Sequence, residues 1–106
     1  MKIDIVGMRY RSYYDAIDMA RSRNYSLSLE RDNKHDKYAI KFLYEHEGEK
    51  IHAGYVSKKQ NQNKQLRNLV KSKYYTLDIY HLTDAVILAN ISEKGEDSDI
   101  EEEEED

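Results

Sequence analysis

The sequence predicts a mainly β (α+β) fold, a small, highly curved sheet or partly open barrel with one or two short helices at its edge. Three observations support this prediction. Several short stretches alternate apolar and polar residues, as half-buried strands do. One lysine- and glutamine-rich segment has a single apolar edge, which is typical of a surface helix. Hydrophobic patterning stops after Ile91, and the chain of 106 residues is long enough for one domain but not for two.

The predicted strands cover residues 2–6, 25–31, 38–44, 51–56 and 74–91. The segment 25–31 shows the clearest pattern, because Tyr25, Leu27 and Leu29 alternate with polar residues and face one way. Aspartate and asparagine in residues 32–36 favour a turn, since their side chains bond to their own backbone. Gly48 marks the next turn, and the last segment is two strands or one strand bent near Asp84.

Two helices are predicted, a short one at residues 14–19 and a longer one at residues 58–72 with Ser57 as its N-cap. The second has Leu66, Leu69 and Val70 on one side. We expect a domain at residues 1–92 followed by an acidic tail at residues 93–106. The run of glutamates repels itself and buries no apolar surface, so the tail is predicted to be disordered.

Charge is divided unevenly between these two parts. From Glu93 onward there are ten acids and one base, a net charge of −9. Residues 1–92 hold 16 bases and 11 acids, a net charge of +5, and the two values sum to the −4 of the whole chain. A body and a tail of opposite sign indicate different partners for each, or binding of one to the other.

The composition points to a soluble, cytoplasmic protein and away from an enzyme. Cysteine is absent, which removes disulfides, thiol nucleophiles and thiolate metal sites, and no apolar run is long enough to span a membrane. None of the common nucleotide-binding or hydrolase motifs occurs. His46 and His52 could face each other across the turn at Gly48, but exposed strand histidines are the simpler interpretation, so we expect no metal and no cofactor.

Residues suited to bind nucleic acid are better represented. Residues 9–14 read Arg-Tyr-Arg-Ser-Tyr-Tyr and interleave cations with rings, the combination that single-stranded nucleic acid needs for its phosphates and bases. Arg9, Tyr10, Arg11 and Tyr14 are therefore candidate contacts, although core tyrosines beside solvated arginines would give the same pattern. A second basic surface lies at and beyond the start of the longer predicted helix and comprises Lys58, Lys59, Lys64, Arg67, Lys71 and Lys73.

Three stretches, taken in order, resemble the HIRAN domain. They are Ile5-Val6-Gly7-Met8-Arg9-Tyr10, then Leu27-Ser28-Leu29-Glu30-Arg31 with Asn33, Asp36 and Ala39-Ile40-Lys41, and finally Ala53-Gly54-Tyr55-Val56 with Lys58-Lys59. The resemblance covers roughly residues 3–82. It implies a modified OB- or SH3-like β-barrel that grips the 3′ end of single-stranded DNA.

The resemblance also implies roles for individual residues. Arg9 and Tyr10 would be the cationic and stacking pair, Asp36 would accept a hydrogen bond from the terminal hydroxyl, and Lys58 would contact phosphate. Tyr55 falls where some family members have a histidine.

His35 takes the place of an aromatic residue that shapes the pocket, in a turn about two residues shorter than usual and without proline.

Two hypotheses of function follow. In the first, the basic body binds nucleic acid, with single-stranded DNA as the expected ligand, and the acidic tail competes for the same surface. In the second, the chain is a viral-type host-takeover inhibitor whose acidic residues imitate DNA and bind a basic host protein such as RNA polymerase. The residues that would make this second contact are Glu101, Glu102, Glu103, Glu104, Glu105 and Asp106. The sequence leaves the oligomeric state open.

Overall fold

The computed structural model describes residues 1–9, 13–83 and 85–94. Within them the chain forms β1 (Lys2–Val6), α1 (Tyr13–Arg21), β2 (Tyr25–Leu29), β3 (Ile40–His46), β4 (Glu49–Val56), α2 (Lys64–Ser72), β5 (Tyr75–Leu82) and β6 (Ile87–Glu93). The acidic tail beyond Lys94 lies outside the described residues. No helix in the described ranges is long and apolar enough to cross a membrane.

The six strands form one antiparallel sheet in the order β2-β3-β4-β1-β6-β5. The sheet curls until its two edge strands approach each other. The hydroxyl of Tyr75, in β5, accepts a hydrogen bond from Leu27 N (2.8 Å) and donates one to Leu27 O (3.3 Å) in β2. In a complete barrel, backbone hydrogen bonds would pair β2 with β5. Here the two hydrogen bonds of the Tyr75 side chain join these strands instead. The predicted mainly β, curled sheet with two helices is therefore confirmed.

The core lies inside this curl and is almost entirely aliphatic. Ile3 and Ile5 of β1 have no solvent exposure, and neither has Phe42 of β3. Helix α2 packs across the gap between β2 and β5 and fills it with Leu66 and Val70, which are four residues apart and so lie on one face.

The structure corrects the start of the second helix. Ser57 is not its N-cap: the helix begins at Lys64, and Asn63 caps it by accepting a hydrogen bond from Leu66 N. Residues 57–62 instead form turns that are held against β1. Ser57 N donates to Asp4 O (2.8 Å), and the Gln60 side chain bonds to Asp4 N and Lys2 O. The two lysines at 58 and 59 therefore precede the helix.

Other differences concern boundaries. The first helix is longer than predicted and covers nine residues. The segment 74–91 was predicted to be either two strands or one bent strand, and the structure has two strands there, β5 and β6. Asp84, suggested as the position of the bend, lies outside the described residues. The hairpin turn is where Gly48 predicted it, with Glu47 and Gly48 both at positive φ.

Candidate nucleic-acid interface

Four segments of the chain meet at one end of the sheet and surround a cleft of about 380 Å³. They are the end of β1, the turn after β2, the end of β4 and the turn that precedes α2. The residues that line the cleft are Val6, Gly7, Arg9, Asn33, His35, Asp36, Ala39, Tyr55, Val56, Lys58 and Asn61. The cleft thus combines apolar surface with two cations, a carboxylate and a tyrosine ring.

The close approach of β1 and β4 brings Arg9 to the cleft. Arg9 N donates to Ala53 O (2.9 Å), so the chain after β1 stays beside β4. Gly54 permits this contact because a Cβ there would lie 2.9 Å from Val6 O, a distance that backbone atoms do not tolerate. The Arg9 side chain is exposed and forms no ion pair with any other described residue.

The turn after β2 fixes the carboxylate of Asp36. Asn33 Oδ1 accepts hydrogen bonds from His35 N (2.8 Å) and Asp36 N (3.0 Å), the turn chemistry expected of asparagine. Asp36 Oδ1 accepts from Tyr38 N (2.9 Å), and Asp36 Oδ2 accepts from Asn61 Nδ2 (2.8 Å). Among the described residues each carboxylate oxygen has one donor, which orients the group and leaves a further lone pair on each oxygen.

Asn61 is the buried support of this arrangement, with 2% of its surface exposed. Its side chain bonds to Asp36, and its backbone carbonyl accepts a hydrogen bond from Arg67 Nη1 (2.9 Å). The same Arg67 nitrogen donates to Tyr38 O (2.9 Å), and the guanidinium lies 5.4 Å from the Tyr38 ring centroid. Arg67 was predicted to be part of the second basic surface, but its guanidinium group bonds to other residues of the protein.

A β-bulge shapes the outer face of β4 beside the cleft. Phe42 pairs with Gly54, but the next residue of β3 pairs with His52, so Ala53 has no opposite residue in β3. The extra residue puts His52 and Tyr55 on the same face although they are three positions apart. Their rings meet edge to face with centroids 4.6 Å apart, and His52 Nε2 donates to Gly54 O (2.9 Å).

Glu30 ties this face to the turn. Its Oε1 accepts hydrogen bonds from Asn33 Nδ2 (2.7 Å) and from the Tyr55 hydroxyl (2.9 Å), and Lys41 Nζ lies 3.8 Å from Oε2. The bond from Asn33 is the main reason that the pKa of Glu30 is lowered. Burial, together with the bond to Glu30, raises the pKa of Tyr55, whereas burial lowers the pKa of His52. Near neutral pH the network therefore consists of a carboxylate, a neutral phenol and a neutral imidazole.

The structure brings together five residues predicted for the site: Arg9, His35, Asp36, Tyr55 and Lys58. Lys59 is exposed in the neighbouring turn and does not line the cleft. Tyr10 and Arg11 lie outside the described residues, as do the tail residues Glu101, Glu102, Glu103, Glu104, Glu105 and Asp106. Tyr14 belongs to α1, but its side chain is also outside the described part.

Sequence reasoning missed two supporting residues, and the contact that it considered but did not favour, between His46 and His52, does not form. Asn61 was missed because it is one amide in a polar run, and Glu30 because two of its partners, Lys41 and Tyr55, lie on other strands. His46 and His52 do not face each other: His46 pairs with Glu49 and His52 with Leu43, on opposite faces of the sheet. No group of metal-ligating side chains is found in the described ranges.

Comparison with known proteins identifies the family of the chain. The model of one family, described as the HIRAN domain, matches residues 1–91. The chain belongs to the HIRAN domain family. Neither the curated proteins nor the solved structures give a significant match. The HIRAN domain indicates a nucleic-acid-binding module, and the match spans every described strand except the last two residues of β6.

Proposed function

We propose that this HIRAN domain is a binding module, not an enzyme, and that its cleft holds the 3′-terminal nucleotide of single-stranded DNA. The observation that carries the proposal is the oriented carboxylate of Asp36 in one cleft with Arg9 and Lys58, two cations that form no ion pair with any other described residue. A volume of about 380 Å³ is within the range of small-ligand pockets, which begins at about 300 Å³.

The carboxylate supplies selectivity for the end of the strand. An ionised aspartate accepts hydrogen bonds but does not donate them, so Asp36 suits a hydroxyl and disfavours a phosphate. Inside a strand the 3′ oxygen is esterified and has no proton to donate. Only a free 3′ end can therefore donate a hydrogen bond to one of the remaining lone pairs of Asp36 while its phosphate meets the neighbouring cations.

The cations and the ring supply affinity. Arg9 and Lys58 are exposed at the rim, where they can neutralise the phosphate that precedes the terminal sugar. Tyr55 is only partly buried, and its hydroxyl is fixed by Glu30, so its ring is held in one orientation beside the cleft. A preorganised ring offers a surface on which a base can stack at little entropic cost.

The test is fluorescence anisotropy with 5′-labelled oligothymidylates of eight nucleotides that end in a 3′ hydroxyl or a 3′ phosphate. We expect the full chain to bind the hydroxyl form at least about tenfold more tightly, a difference of about 1.4 kcal/mol. Asp36→Asn should abolish this preference. Asp32→Asn is the matched control, because Asp32 is an exposed aspartate in the same turn. Equal affinity of the unaltered chain for both oligonucleotides would refute end recognition, and no binding to either would favour a protein partner.

We further propose that the acidic tail lowers the affinity for nucleic acid. Residues 95–106 contain nine acids and no base, and they follow Lys94, whose N–H donates to Tyr74 O near the end of α2. Anionic side chains tethered this close compete with phosphates for the lysines of the body. Replacing Glu101–Glu105 by glutamine in the full chain should tighten oligonucleotide binding at low salt, and an unchanged affinity would exclude this role.

A further inference from the structure

The segment that leads away from the cleft has a charge pattern of its own. Residues 57–73 contain six basic residues and no acid, although charged residues make up 36% of the chain. Arg67 is engaged by Tyr38 and Asn61, which leaves five lysines. We call these the lysine face, and its members are Lys58, Lys59, Lys64, Lys71 and Lys73.

All five lysines are exposed, and none forms an ion pair with another described residue. In α2, Lys64, Asn68 and Lys71 follow one another at helical spacing and lie on the side opposite the buried Leu66 and Val70. Arg67 lies three residues after Lys64 and four before Lys71, so these cations in neighbouring turns repel one another, and residues 57–73 contain no acid that offsets the repulsion. An anionic partner would remove that cost.

The lysine face is continuous with the cleft. Lys58 lines the cleft itself, and Asn61 lies at its wall two residues before the N-cap of α2. Arg67 bonds the first turns of the helix to Asn61 and to the turn after β2, so α2 has a fixed position relative to the cleft.

The dimensions suit a strand longer than one nucleotide. At about 1.5 Å of rise per residue, Lys64 and Lys71 are separated by about 10 Å along the helix axis, and Lys73 lies farther on. Lys64 and Lys71 are therefore about two helical turns apart on the helix that follows Asn61 in the chain. Domains with OB-type folds occupy about 4 to 16 nucleotides of a single strand, which requires surface outside the pocket that holds one end.

We propose that the lysine face binds the phosphate backbone of the same strand, on the 5′ side of the nucleotide held in the cleft. This inference rests on the proposed function and adds a second, sequence-independent contact to it. Lysine acts as a point charge towards phosphate, so the face adds affinity and site length without base preference. The cleft determines which end is bound, and the lysine face determines how much of the strand is bound.

The experiment measures the salt dependence of binding for two oligothymidylates with free 3′ hydroxyls, one of four and one of twelve nucleotides, on the full chain. Each phosphate neutralised on a single strand contributes about −0.7 to the slope of log K against log salt. We expect a steeper slope for the 12-mer than for the 4-mer. The double variant Lys64→Gln, Lys71→Gln should make the slope for the 12-mer shallower by about 1.4 and leave the 4-mer unchanged.

Between 50 and 200 mM salt this change corresponds to a roughly sevenfold smaller loss of affinity for the 12-mer. Lys50→Gln is the matched control, since Lys50 is also exposed but lies in the β3–β4 hairpin. Equal slopes for the two lengths, or equal effects of the control and the double variant, would overturn the inference. If the 4-mer still binds only with a free 3′ hydroxyl, the proposed function is supported even though this inference is wrong.

Discussion

The substitution Asn61→Asp tests the arrangement that orients Asp36. Asn61 is buried, and its amide donates to Asp36 Oδ2 over 2.8 Å. An aspartate has nearly the same shape but no donor in its ionised form. The substitution therefore replaces an attractive contact by two carboxyl groups facing each other, with almost no change in packing.

The expected loss of stability can be bounded from two directions. Two unit charges at 2.8 Å repel by about 6 kcal/mol with an effective dielectric constant of about 20. The protein can instead bind a proton at the new carboxyl, which then donates to Asp36. Holding a group of ordinary pKa 3.9 protonated at pH 7 costs about 4.2 kcal/mol, because each pH unit above that pKa costs about 1.36 kcal/mol. The smaller value sets the limit, about 4 kcal/mol at pH 7.

The sign of the pH dependence follows from the same reasoning. The pKa of the new carboxyl is raised in the folded state, so the native variant binds more protons than its unfolded form, and its stability falls as the pH rises. At pH 5 the limit is only about 1.5 kcal/mol. Urea unfolding followed by circular dichroism at pH 5 and pH 7 measures both values.

Asn63→Asp is the matched control for this experiment. Asn63 caps α2, where aspartate is as good an N-cap as asparagine, so we expect a change of less than about 0.5 kcal/mol. A loss that is the same at both pH values, or one no larger than that of the control, would refute the account of Asn61.

Three further predictions concern the elements that position the site. Gly54→Ala should destabilise the fold by about 1–3 kcal/mol, measured by urea unfolding, because its Cβ would lie 2.9 Å from Val6 O. Tyr75→Phe should cost about 1–3 kcal/mol in the same assay, since the backbone groups of Leu27 lose their partner between the sheet edges. Burial lowers the pKa of His52. The contribution of the neutral imidazole to stability is therefore present above the ordinary pKa of about 6.5 and is lost as the pH falls through the folded pKa. His52→Gln should make the free energy of unfolding less dependent on pH in this range.

Each of the three has its own control. Gly48→Ala, at a hairpin φ of +83° with open space around it, should cost about 1 kcal/mol, and a Gly54 variant no worse than this would contradict the steric argument. Tyr74→Phe alters an exposed ring and should change stability by less than about 0.5 kcal/mol. An NMR titration that gives His52 a pKa at or above 6.5 would contradict the third prediction.

Much of the fold follows from the sequence because its strands are amphipathic. The alternation of β2 and the turn at Gly48 depend on residues next to each other, and both appear where the pattern predicts them. The start of α2 does not appear where the pattern predicts it. Ser57 and Asn63 can both cap a helix, but the Gln60 side chain bonds to Asp4 N and Lys2 O of β1, and these tertiary contacts help to hold residues 57–62 as turns.

The sequence by itself determined the mainly β fold, the family motifs and the separation of a basic body from an acidic tail. These are properties of composition and of neighbouring residues. Only the tertiary structure decided that Asp36 is oriented by Asn61, 25 positions later, that Arg67 is used internally, and that a bulge at Ala53 puts His52 beside Tyr55. The physical reason is that hydrogen-bond partners are chosen by distance and angle in space, which residue patterns along the chain do not contain.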